Sequence, residues 1–428
     1  METDTIFAVA SGAGHAAIAV MRISGPDSRR LVATLCGNVP QPRRVSLRRL
    51  RDIDHAMVVW LPGPGSYTGE DSAELYLHGG RAVLAGIADA LVSLGARPAE
   101  PGEFTRRAFL NGRMDLTEAE AVHDLIAAET EAQRRQALRQ LDGVLGTLYR
   151  GWADRLRVLL AQQEALIDFP DEDLPPEVEA RVVAELAALQ AEVAAHLNDE
   201  RRGERLREGL VFAITGEPNV GKSSLVNALA ERDVAIVSAT PGTTRDALET
   251  RVVLGGVPVT LVDTAGLRET MDEIEAEGVR RARARAATAD VVIIVVETVA
   301  PLPPPLAGGG QGEGVLVANK LDIGGIVPVG ALGVSALTGQ GLDALRTRLA
   351  ELARSLTESA GPPPLTQARH RAALQEAQAR LAGAQVADLP ELRAEDLRLA
   401  MRALGRITGA VGVEDILDTL FARFCIGK

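Results

Sequence analysis

The stretch that most constrains the fold of this chain runs from Gly209 to Ser224 and reads GLVFAITGEPNVGKSS. Its apolar run leads into the spacing Gly-x-x-x-x-Gly-Lys-Ser, after which apolar residues recur at helical spacing. This pattern predicts a strand, a phosphate-binding loop and a helix, because backbone N–H groups and the positive end of the helix cradle a phosphate. Lys222 is expected to reach the β and γ oxygens, and the Ser223 hydroxyl to ligate Mg²⁺. The nucleotide-binding residues predicted here are Asn219, Val220, Gly221, Lys222, Ser223 and Ser224.

A second motif follows an apolar strand predicted at residues 257–262 and consists of Asp263, Thr264, Ala265 and Gly266. A carboxylate at the C-terminal end of a strand can hold Mg²⁺ through water, and the Gly266 N–H can reach a γ-phosphate. The motif therefore predicts the metal-facing side of a nucleoside triphosphate site.

A third motif selects the base. After a strand predicted at residues 315–318, the sequence reads Asn319, Lys320, Leu321 and Asp322. The Asp322 carboxylate can accept both hydrogens that guanine offers at N1 and N2, and the loop of Ser335 and Ala336 can supply a backbone N–H to guanine O6. Leaving this carboxylate unpaired opposite adenine costs enough free energy to select against it. Motifs in this order, each after its strand, predict a GTP-binding domain rather than chance loops in another parallel sheet.

Lysine is almost absent from the chain. Of its 46 basic residues only Lys222, Lys320 and Lys428 are lysines. A chain with this bias keeps lysine where a compact, flexible ammonium is needed, and two of the three lie in the phosphate and guanine loops. The third is the last residue, so Lys428 is a candidate functional residue.

Length, charge and cysteine content narrow the class of protein. A chain of 428 residues with 46% hydrophobic content can bury several cores, so more than one domain is expected. The first residues are acidic and no apolar run could span a bilayer, which predicts a cytoplasmic protein without membrane contact. Cys36 and Cys425 lie far apart, which argues against a disulfide framework or a structural zinc site. A net charge of −12 implies that any RNA contact is local or shared with a partner.

Four segments are predicted along the chain. Residues 1–116 have the pattern of a mixed α/β domain, and residues 209–356 contain the GTP-binding motifs. Residues 117–208 and 357–428 have apolar residues at helical spacing. Because neither helical flank suffices for a core, the GTP-binding domain is predicted to be inserted into one discontinuous helical bundle. The fold class is α/β plus α: a mixed α/β N-terminal domain, a helical domain and an inserted P-loop domain with a Ras-like parallel sheet.

The hydrophobic pattern also predicts individual helices. Two belong to the N-terminal domain, at residues 27–35 and 81–94, and one closes the GTP-binding domain at residues 342–356. In the flanks a long helix is expected at residues 177–206, and residues 368–385 and 394–424 are expected to be helical.

The hydrolytic residue does not follow from the motifs. Many GTPases carry, just after the glycine of the second motif, a glutamine that orients the attacking water. Leu267 occupies this place here, and an aliphatic side chain cannot orient water. The acidic stretch that follows offers Glu269, Asp272, Glu273 and Glu275. Any one of them can equally be a solvated charge of a switch loop.

Along essentially its entire length the chain resembles the MnmE family of tRNA-modification GTPases. The motifs that carry the resemblance are DTI at 4–6, RISGP at 22–26, SYTGED at 66–71, HGG at 78–80, PGEFT at 101–105, AFLNG at 108–112, DFP at 168–170, PNVGKSS at 218–224, GTTRD at 242–246 and FCIGK at 424–428. The resemblance implies three domains: an N-terminal domain that binds folate and dimerises, a helical domain built from both flanks, and the inserted G domain.

The resemblance implies an ion-assisted GTPase centre. A potassium ion, where other GTPases receive an arginine finger, is expected on Asn219, Ser238, Thr240 and Thr243. Thr244 is expected to join Ser223 on Mg²⁺, and Glu275 to orient the water, which fits Leu267. The switch-loop residues expected to bind nucleotide or ions are Ser238, Ala239, Thr240, Pro241, Gly242, Thr243 and Thr244.

The resemblance also implies a site for a tetrahydrofolate derivative, in its 5-formyl or 5,10-methylene form. The residues that match are Arg22, Glu74, Arg113 and Lys428. Cys425 matches a terminal cysteine of the family and is a candidate catalytic residue, although it can equally be a small buried hydrophobe. Arg113 stands where lysine is frequent, which keeps the charge but changes the geometry. Glu217 stands in the phosphate loop where a basic residue is common, and its side chain is expected to point to solvent.

The function implied is a homodimeric, potassium-stimulated GTPase that acts with the flavoprotein MnmG on tRNA. Together they would use a folate one-carbon unit to install an aminomethyl or carboxymethylaminomethyl group on C5 of the wobble uridine. One alternative is a ribosome-assembly GTPase that binds rRNA without modifying it, but this leaves a folate-type domain without a use and calls for a basic face. A purely structural G-domain scaffold is the other, which intact Lys222, Asp263 and Glu275 disfavour.

Overall fold

The computed structural model of the protein describes residues 4–12, 14–168, 176–232, 249–264, 287–298, 313–358, 363–412 and 414–427. The chain divides into two compact units. Unit 1 comprises Met1–His123, Gln140–Val183 and Ala379–Lys428, and unit 2 comprises Asp124–Arg139 and Ala184–Gln378. The domain boundaries proposed from the sequence after residues 116, 208 and 356 stay predictions.

Unit 1 contains a six-stranded sheet in the order β3-β4-β5-β2-β1-β6. All neighbouring strands are antiparallel except the parallel pair β1 and β6. The strands are β1 (Ile6–Val9), β2 (Ala16–Ser24), β3 (Ser46–Leu50), β4 (Asp54–Leu61), β5 (Ser72–Gly79) and β6 (Arg97–Pro98). The short β3, which the sequence pattern did not reveal, forms one edge of the sheet.

One face of this sheet forms the core of unit 1. Helices α1 (Ser28–Cys36) and α2 (Arg81–Ser93), both predicted, pack there against buried residues such as Met21, Ile23 and Leu75. Because successive side chains of a strand point to opposite faces, Arg22 and Glu74 lie on the other face. Helix α3 (Glu103–Leu110) adds the ring of Phe104 to a smaller buried cluster that also contains strand β1 residues. The sheet thus has one covered face and one face that carries polar side chains.

The helical flanks contain shorter helices than the sequence predicted. They are α4 (Leu116–Ala127), α5 (Glu131–Leu141), α6 (Val144–Asp168), α7 (Pro176–Leu197), α8 (Arg202–Glu208), and beyond the second sheet α11 (Ala368–Val386), α12 (Pro390–Thr408) and α13 (Glu414–Phe421). Helices α6 and α12 pack against each other within unit 1. None of the helices among the described residues is both long and apolar enough to cross a membrane.

The single long helix predicted at 177–206 is wrong, and the helical stretch predicted at 394–424 is divided into two helices. The helix expected at 177–206 ends at Leu197, because Glu200 and Arg201 take positive φ angles of 53° and 60° and the Asp199 carboxylate accepts a hydrogen bond from the Arg201 N–H. The helix expected at 394–424 ends at Thr408, where Gly409 at φ 85° caps it. In both cases local capping ends a helix that the sequence pattern extended further.

Unit 2 contains a second six-stranded sheet in the order β12-β11-β10-β7-β9-β8, parallel except for the pair β8 and β9. The strands are β7 (Leu210–Gly216), β8 (Glu249–Leu254), β9 (Val257–Asp263), β10 (Val291–Glu297), β11 (Glu313–Asn319) and β12 (Leu332–Gly333). Helices α9 (Lys222–Arg232) and α10 (Leu342–Ser355) pack on its apolar core. The carboxyl ends of parallel strands meet at one edge, so the loops after β7, β9 and β11 lie together there.

Candidate functional site

The loop between β7 and α9 has the geometry of an anion cradle. Gly216 and Gly221 have positive φ angles of 149° and 91°, and Asn219 has φ 68° although it is not glycine. A Cβ atom on Gly216 would lie 2.1 Å from the Val295 carbonyl oxygen, so only glycine fits. The loop lines a cleft of about 490 Å³ together with the first turn of α9. Its backbone N–H groups and the helix N-terminus therefore face a volume that suits a phosphate chain.

Lys222 lies across this loop. Its side chain is buried, and Nζ donates hydrogen bonds to the carbonyl oxygens of Gly216 and Glu217 at 2.9 and 2.7 Å. The ammonium is thus fixed where β and γ oxygens bind in loops of this type. The Glu217 side chain is exposed, as the sequence analysis expected.

Two oxygen ligands suited to Mg²⁺ lie together next to the loop. The Ser223 hydroxyl donates to Oδ2 of Asp263 at 2.6 Å, and Asp263 is 6% exposed. Thr264 donates to the Ile214 carbonyl oxygen at 2.8 Å, which ties the end of β9 to β7. Hydroxyl and carboxylate oxygens are the donors that a hard cation prefers, so these residues fit a magnesium ion held with phosphate oxygens and water.

Asn319 joins the three loops of the nucleotide site. Its buried amide donates from Nδ2 to the Val220 carbonyl oxygen at 2.8 Å, and its Oδ1 accepts the Ala336 N–H at 3.0 Å. The side chain thus links the phosphate loop to the loop after β12. Sequence reasoning identified Asn319 only as part of a base-selecting tetrapeptide and missed this bracing role.

The guanine-selecting carboxylate is held in place by a buried hydroxyl. Ser335, fully buried, donates from Oγ to Oδ1 of Asp322 at 2.5 Å. Asp322 itself is exposed, and its second oxygen has no hydrogen-bond partner among the described residues. An oriented carboxylate with one free oxygen edge can accept the N–H groups of guanine.

Glu297 is a residue of this site that sequence reasoning missed. It ends strand β10, and its carboxylate pairs with the ammonium of Lys320. Lys320 has a left-handed backbone, with φ 68°, directly after β11. An acidic residue that closes a purely apolar strand, as in VVIIVVE, is the signal that could have revealed it.

The second group of predicted residues meets on the polar face of the unit 1 sheet. Arg22 on β2 and Glu74 on β5 are direct cross-strand partners, and their side chains form an ion pair of 2.9 Å. The guanidinium of Arg22 also lies over the rings of Tyr67 and Phe104, at 5.0 and 5.7 Å from their centroids. Arg22 is therefore held between a carboxylate and two aromatic faces, an arrangement that fixes a cation for ligand binding.

Two tyrosines lie beside the Arg22–Glu74 ion pair. Tyr67 shares a hydrogen bond of 2.8 Å with Thr105, and burial raises its pKa. Tyr76 donates to Oε2 of Glu74 at 2.9 Å, and burial together with the Glu74 carboxylate raises the pKa of its hydroxyl. Both phenols therefore stay protonated, so that Tyr76 remains a donor to Glu74 at neutral pH.

The C-terminal tail lies against the same domain. Ile426 pairs with Pro101, and the Cys425 carbonyl oxygen accepts the Gly102 N–H at 3.4 Å. Gly427 is packed so closely that a Cβ atom there would lie 2.3 Å from the Val9 carbonyl oxygen. The Cys425 residue is exposed and its thiol is free, so the interpretation of Cys425 as a small buried hydrophobe is wrong.

Arg113 is exposed and lies near the loop that carries Tyr67. Its Cγ would be 3.2 Å from a Cβ atom on Gly69, and its backbone N–H donates to the Ala108 carbonyl oxygen. The same loop is also bound by Asn111, whose amide donates to the Thr68 carbonyl oxygen at 2.7 Å. Arg22, Glu74 and Arg113 thus border one loop, residues 62–71.

Five charged residues below this loop form what we term the Arg107 cluster. Arg107 is 2% exposed and donates to Oδ1 of Asp4 and Oε1 of Glu103, both at 2.9 Å, and more weakly to Glu70. Arg97 binds both oxygens of Glu103 as well. Sequence reasoning missed the cluster, although the i,i+4 spacing of Glu103 and Arg107 on one helix hints at it.

Several predicted residues lie outside the described part of the chain. They are Ser238, Ala239, Thr240, Pro241, Gly242, Thr243, Thr244, Ala265, Gly266, Glu275 and Lys428. Leu267 and the other acidic candidates after it lie outside as well. The switch-loop, potassium and water-orienting roles therefore stay predictions.

Comparison with known proteins identifies the family of this chain. A family model described as the MnmE helical domain matches residues 116–425, and one described as the GTP-binding protein TrmE N-terminus matches residues 5–113. Similar curated proteins named tRNA modification GTPase MnmE occur in Gluconacetobacter diazotrophicus, 63% identical over 99% of this chain and 98% of that protein, and in Granulibacter bethesdensis, 57% identical over the full length of both. A third, from Rhodospirillum rubrum, is 54% identical over the full length of both.

Proposed function

Because the chain belongs to the MnmE family of tRNA modification GTPases, we propose that it hydrolyses GTP together with the flavoprotein MnmG to modify C5 of the wobble uridine in tRNA. The group installed would be aminomethyl or carboxymethylaminomethyl, with a folate one-carbon unit as the source. One observation carries the proposal. The same chain contains the candidate nucleotide site at the edge of the unit 2 sheet and, in unit 1, an Arg22 side chain that is fixed by Glu74. A ribosome-assembly GTPase needs the first site and has no use for the second.

The nucleotide chemistry rests on residues at the edge of the unit 2 sheet. Lys222 would neutralise the β and γ oxygens, and Ser223 and Asp263 would hold a magnesium ion that offsets the charge developing on the phosphates. Asp322, oriented by Ser335, would select guanine through N1 and N2. These residues position and neutralise the substrate, which is what phosphoryl transfer chiefly requires.

We propose further that potassium assists hydrolysis. Asn219 at the mouth of the loop, with Ser238, Thr240 and Thr243, would bind the ion, and Glu275 would orient the attacking water. Support comes from Leu267, which leaves the usual glutamine place aliphatic, and from the phosphate loop, which contains no arginine. A monovalent cation then supplies the positive charge that an arginine finger supplies elsewhere.

The folate is proposed to bind on the polar face of the unit 1 sheet. Arg22 can meet a carboxylate of the ligand with the guanidinium edge that Glu74 leaves open, and Tyr67 and Phe104 offer aromatic surface beside it. Arg113 and Lys428 would add further positive charge. The 5-formyl and 5,10-methylene forms of tetrahydrofolate share the features that these groups recognise.

The protein is proposed to act in the cytoplasm as a homodimer. Ile18, Leu47 and Met57 are exposed by 52, 69 and 42%, and their register places them on the polar face of the unit 1 sheet rather than in its core. Exposed apolar side chains on a sheet face are typical of a surface that a second subunit covers.

A nucleoside profile tests the proposal. A strain that lacks the gene is complemented with the wild type, with Ser223→Ala or with Arg22→Gln, and its tRNA nucleosides are measured by mass spectrometry. We expect the wild type alone to restore modified wobble uridine, and Arg22→Gln protein to keep normal GTP binding because the two sites lie in different units. Unmodified uridine in the wild-type complement, or full modification with either variant, contradicts the proposal.

A further inference from the structure

The edge of the unit 1 sheet carries a dense positive charge that the nucleotide and folate sites do not use. Residues 43–51, here called the basic edge, read RRVSLRRLR and contain five arginines and no acidic residue. They comprise strand β3, which borders only β4 and forms the outer strand of the sheet, and the segment before it. This concentration stands out in a chain whose net charge is −12.

The arginines of the basic edge are not neutralised. None of Arg43, Arg44, Arg48, Arg49 and Arg51 lies within 4.0 Å of a carboxylate oxygen among the described residues. Three of them donate only to backbone carbonyl oxygens: Arg43 to Gly65, Arg48 to Leu47 and Arg49 to Arg51. Some exposed arginines elsewhere are paired, as Arg134 and Arg135 are with Glu131. The field of the basic edge therefore extends into solvent.

Neighbouring charges do not cancel this field. Arg49 faces His55 across the strand pair, and both residues are exposed. Of the carboxylates that follow in the chain, Asp54 is already bound by the ring of His78, with 2.7 Å between Nδ1 and Oδ1. Asp52 is exposed in the turn and forms no ion pair with a described residue. The charge balance of the edge stays strongly positive.

Backbone hydrogen bonds fix both ends of the basic edge. The Arg43 N–H donates to the Trp60 carbonyl oxygen at 2.8 Å, and the Arg51 N–H donates to Leu35 at 3.1 Å. Both residues have positive φ angles, 58° and 50°. Strand β3 spans roughly 16 Å and carries Arg49 on its exposed face and half-buried Arg48 on the other, while Arg43, Arg44 and Arg51 flank the strand. Side chains on an ordered backbone lose less conformational entropy on binding than those of a flexible basic tail.

We propose that the basic edge binds the phosphate backbone of RNA, with tRNA as the partner. Guanidinium groups match phosphate oxygens bidentately, and a local patch is what an acidic chain needs for an RNA contact. Exposed Val45 lies between Arg44 and the arginines of β3, where it can contact ribose. The inference rests on the proposed tRNA substrate and adds the surface that holds it. The competing explanation is that charges on an edge strand merely prevent pairing with another sheet.

Matched triple variants test this. Arg44→Gln, Arg49→Gln and Arg51→Gln together remove three charges from the basic edge and spare Arg43, which holds the loop of residues 62–71. The control, Arg134→Gln with Arg135→Gln and Arg157→Gln, removes three exposed charges that are already paired. Full-length proteins are titrated with tRNA by fluorescence anisotropy between about 50 and 200 mM salt.

Three lost phosphate contacts should flatten the log–log salt dependence by about 2. Across a fourfold rise in salt, wild-type affinity should then fall about tenfold more than that of the edge variant, and the control should follow the wild type. Equal weakening of both variants, or no weakening, overturns the proposal. So does a change of oligomeric state in the edge variant by sedimentation, which makes the edge an interface between copies. A wild type that binds no tRNA refutes the inference, while GTP hydrolysis and the nucleoside profile test the proposed function separately.

Discussion

Replacing Arg107 with leucine tests whether the buried Arg107 cluster fixes the loop under Arg22. The variant removes the cation that binds Asp4, Glu103 and Glu70 while filling similar apolar space. Arg106→Leu is the matched control, because within the described part of the chain this neighbour on α3 pairs only with Asp418, whose side chain is 79% exposed.

The expected cost follows from burial. Breaking a buried ion pair by removing one partner costs about 3 to 5 kcal/mol, since the other charge stays buried. Glu103, whose side chain is 4% exposed, keeps Arg97 as a partner, and Asp4 is 42% exposed, so the lower end applies. We expect Arg107→Leu to lower the free energy of unfolding by about 3 kcal/mol. Arg106→Leu breaks an exposed pair and should cost less than about 1 kcal/mol.

Tryptophan fluorescence during urea unfolding measures this difference in the right unit. The chain has two tryptophans, and both Trp60 and Trp152 are buried in unit 1, where Arg107 lies. Binding of a fluorescent GDP analogue reports unit 2 independently and should be unchanged in both variants. Equal destabilisation by the two substitutions would refute the reasoning.

The pH dependence provides a second check. Burial opposes ionisation of Glu103, but hydrogen bonds from Arg97, the Glu100 N–H and Arg107 lower its pKa below the ordinary value of 4.5. A lowered folded pKa adds stability above pH 4.5 that is lost as pH falls through the folded value. Without Arg107 that pKa rises. The loss of unfolding free energy in the variant should therefore be largest at neutral pH and become smaller in acid. If the loss of unfolding free energy stays constant until the protein unfolds in acid, lost packing and not lost charge is its cause.

Three further predictions concern the proposed sites. GTP hydrolysis should be much faster in potassium than in sodium, and Asn219→Ala should abolish the difference; equal wild-type rates in the two salts would exclude the ion. Deleting Gly427 and Lys428 should weaken binding of 5-formyl-tetrahydrofolate in calorimetry but leave GTP affinity and basal hydrolysis intact, and an unchanged folate affinity would mean that the terminal lysine plays no part. Ser335→Ala removes a hydrogen bond to a carboxylate, so the Kd for GDP should rise about tenfold or more, whereas Ser355→Ala on α10 should leave it unchanged.

The sequence predicted elements where one local pattern decides the structure. The strand, loop and helix around Gly216 and Lys222 agree with prediction, because glycine spacing and apolar strands act over short range. The helix predicted at 177–206 was wrong because the prediction ran through residues 198–205, which contain no apolar side chain, and there Asp199 caps a turn and binds Arg371. Side-chain capping was therefore the missing information.

The residues of the candidate sites, too, were predicted only where a local sequence pattern decides the structure. Asp322 was identified, whereas the hydroxyl of Ser335 that orients it depends on a contact between two loops. Arg106 and Arg107 are adjacent and chemically identical in the sequence, yet one pairs at the surface and the other is 2% exposed. Only the rotation of α3 against the sheet distinguishes them, and tertiary packing sets that rotation.

The position of residues 426 and 427 affects how the protein folds during synthesis. Ile426 pairs with Pro101, and Gly427 packs on Val9, so residues synthesised late lie against residues synthesised more than 300 positions earlier. Contacts between residues far apart in the sequence form late, because the entropy cost of closing a long loop must be met before these contacts can stabilise the fold. Nascent protein thus holds an unfinished N-terminal domain throughout synthesis of the second sheet.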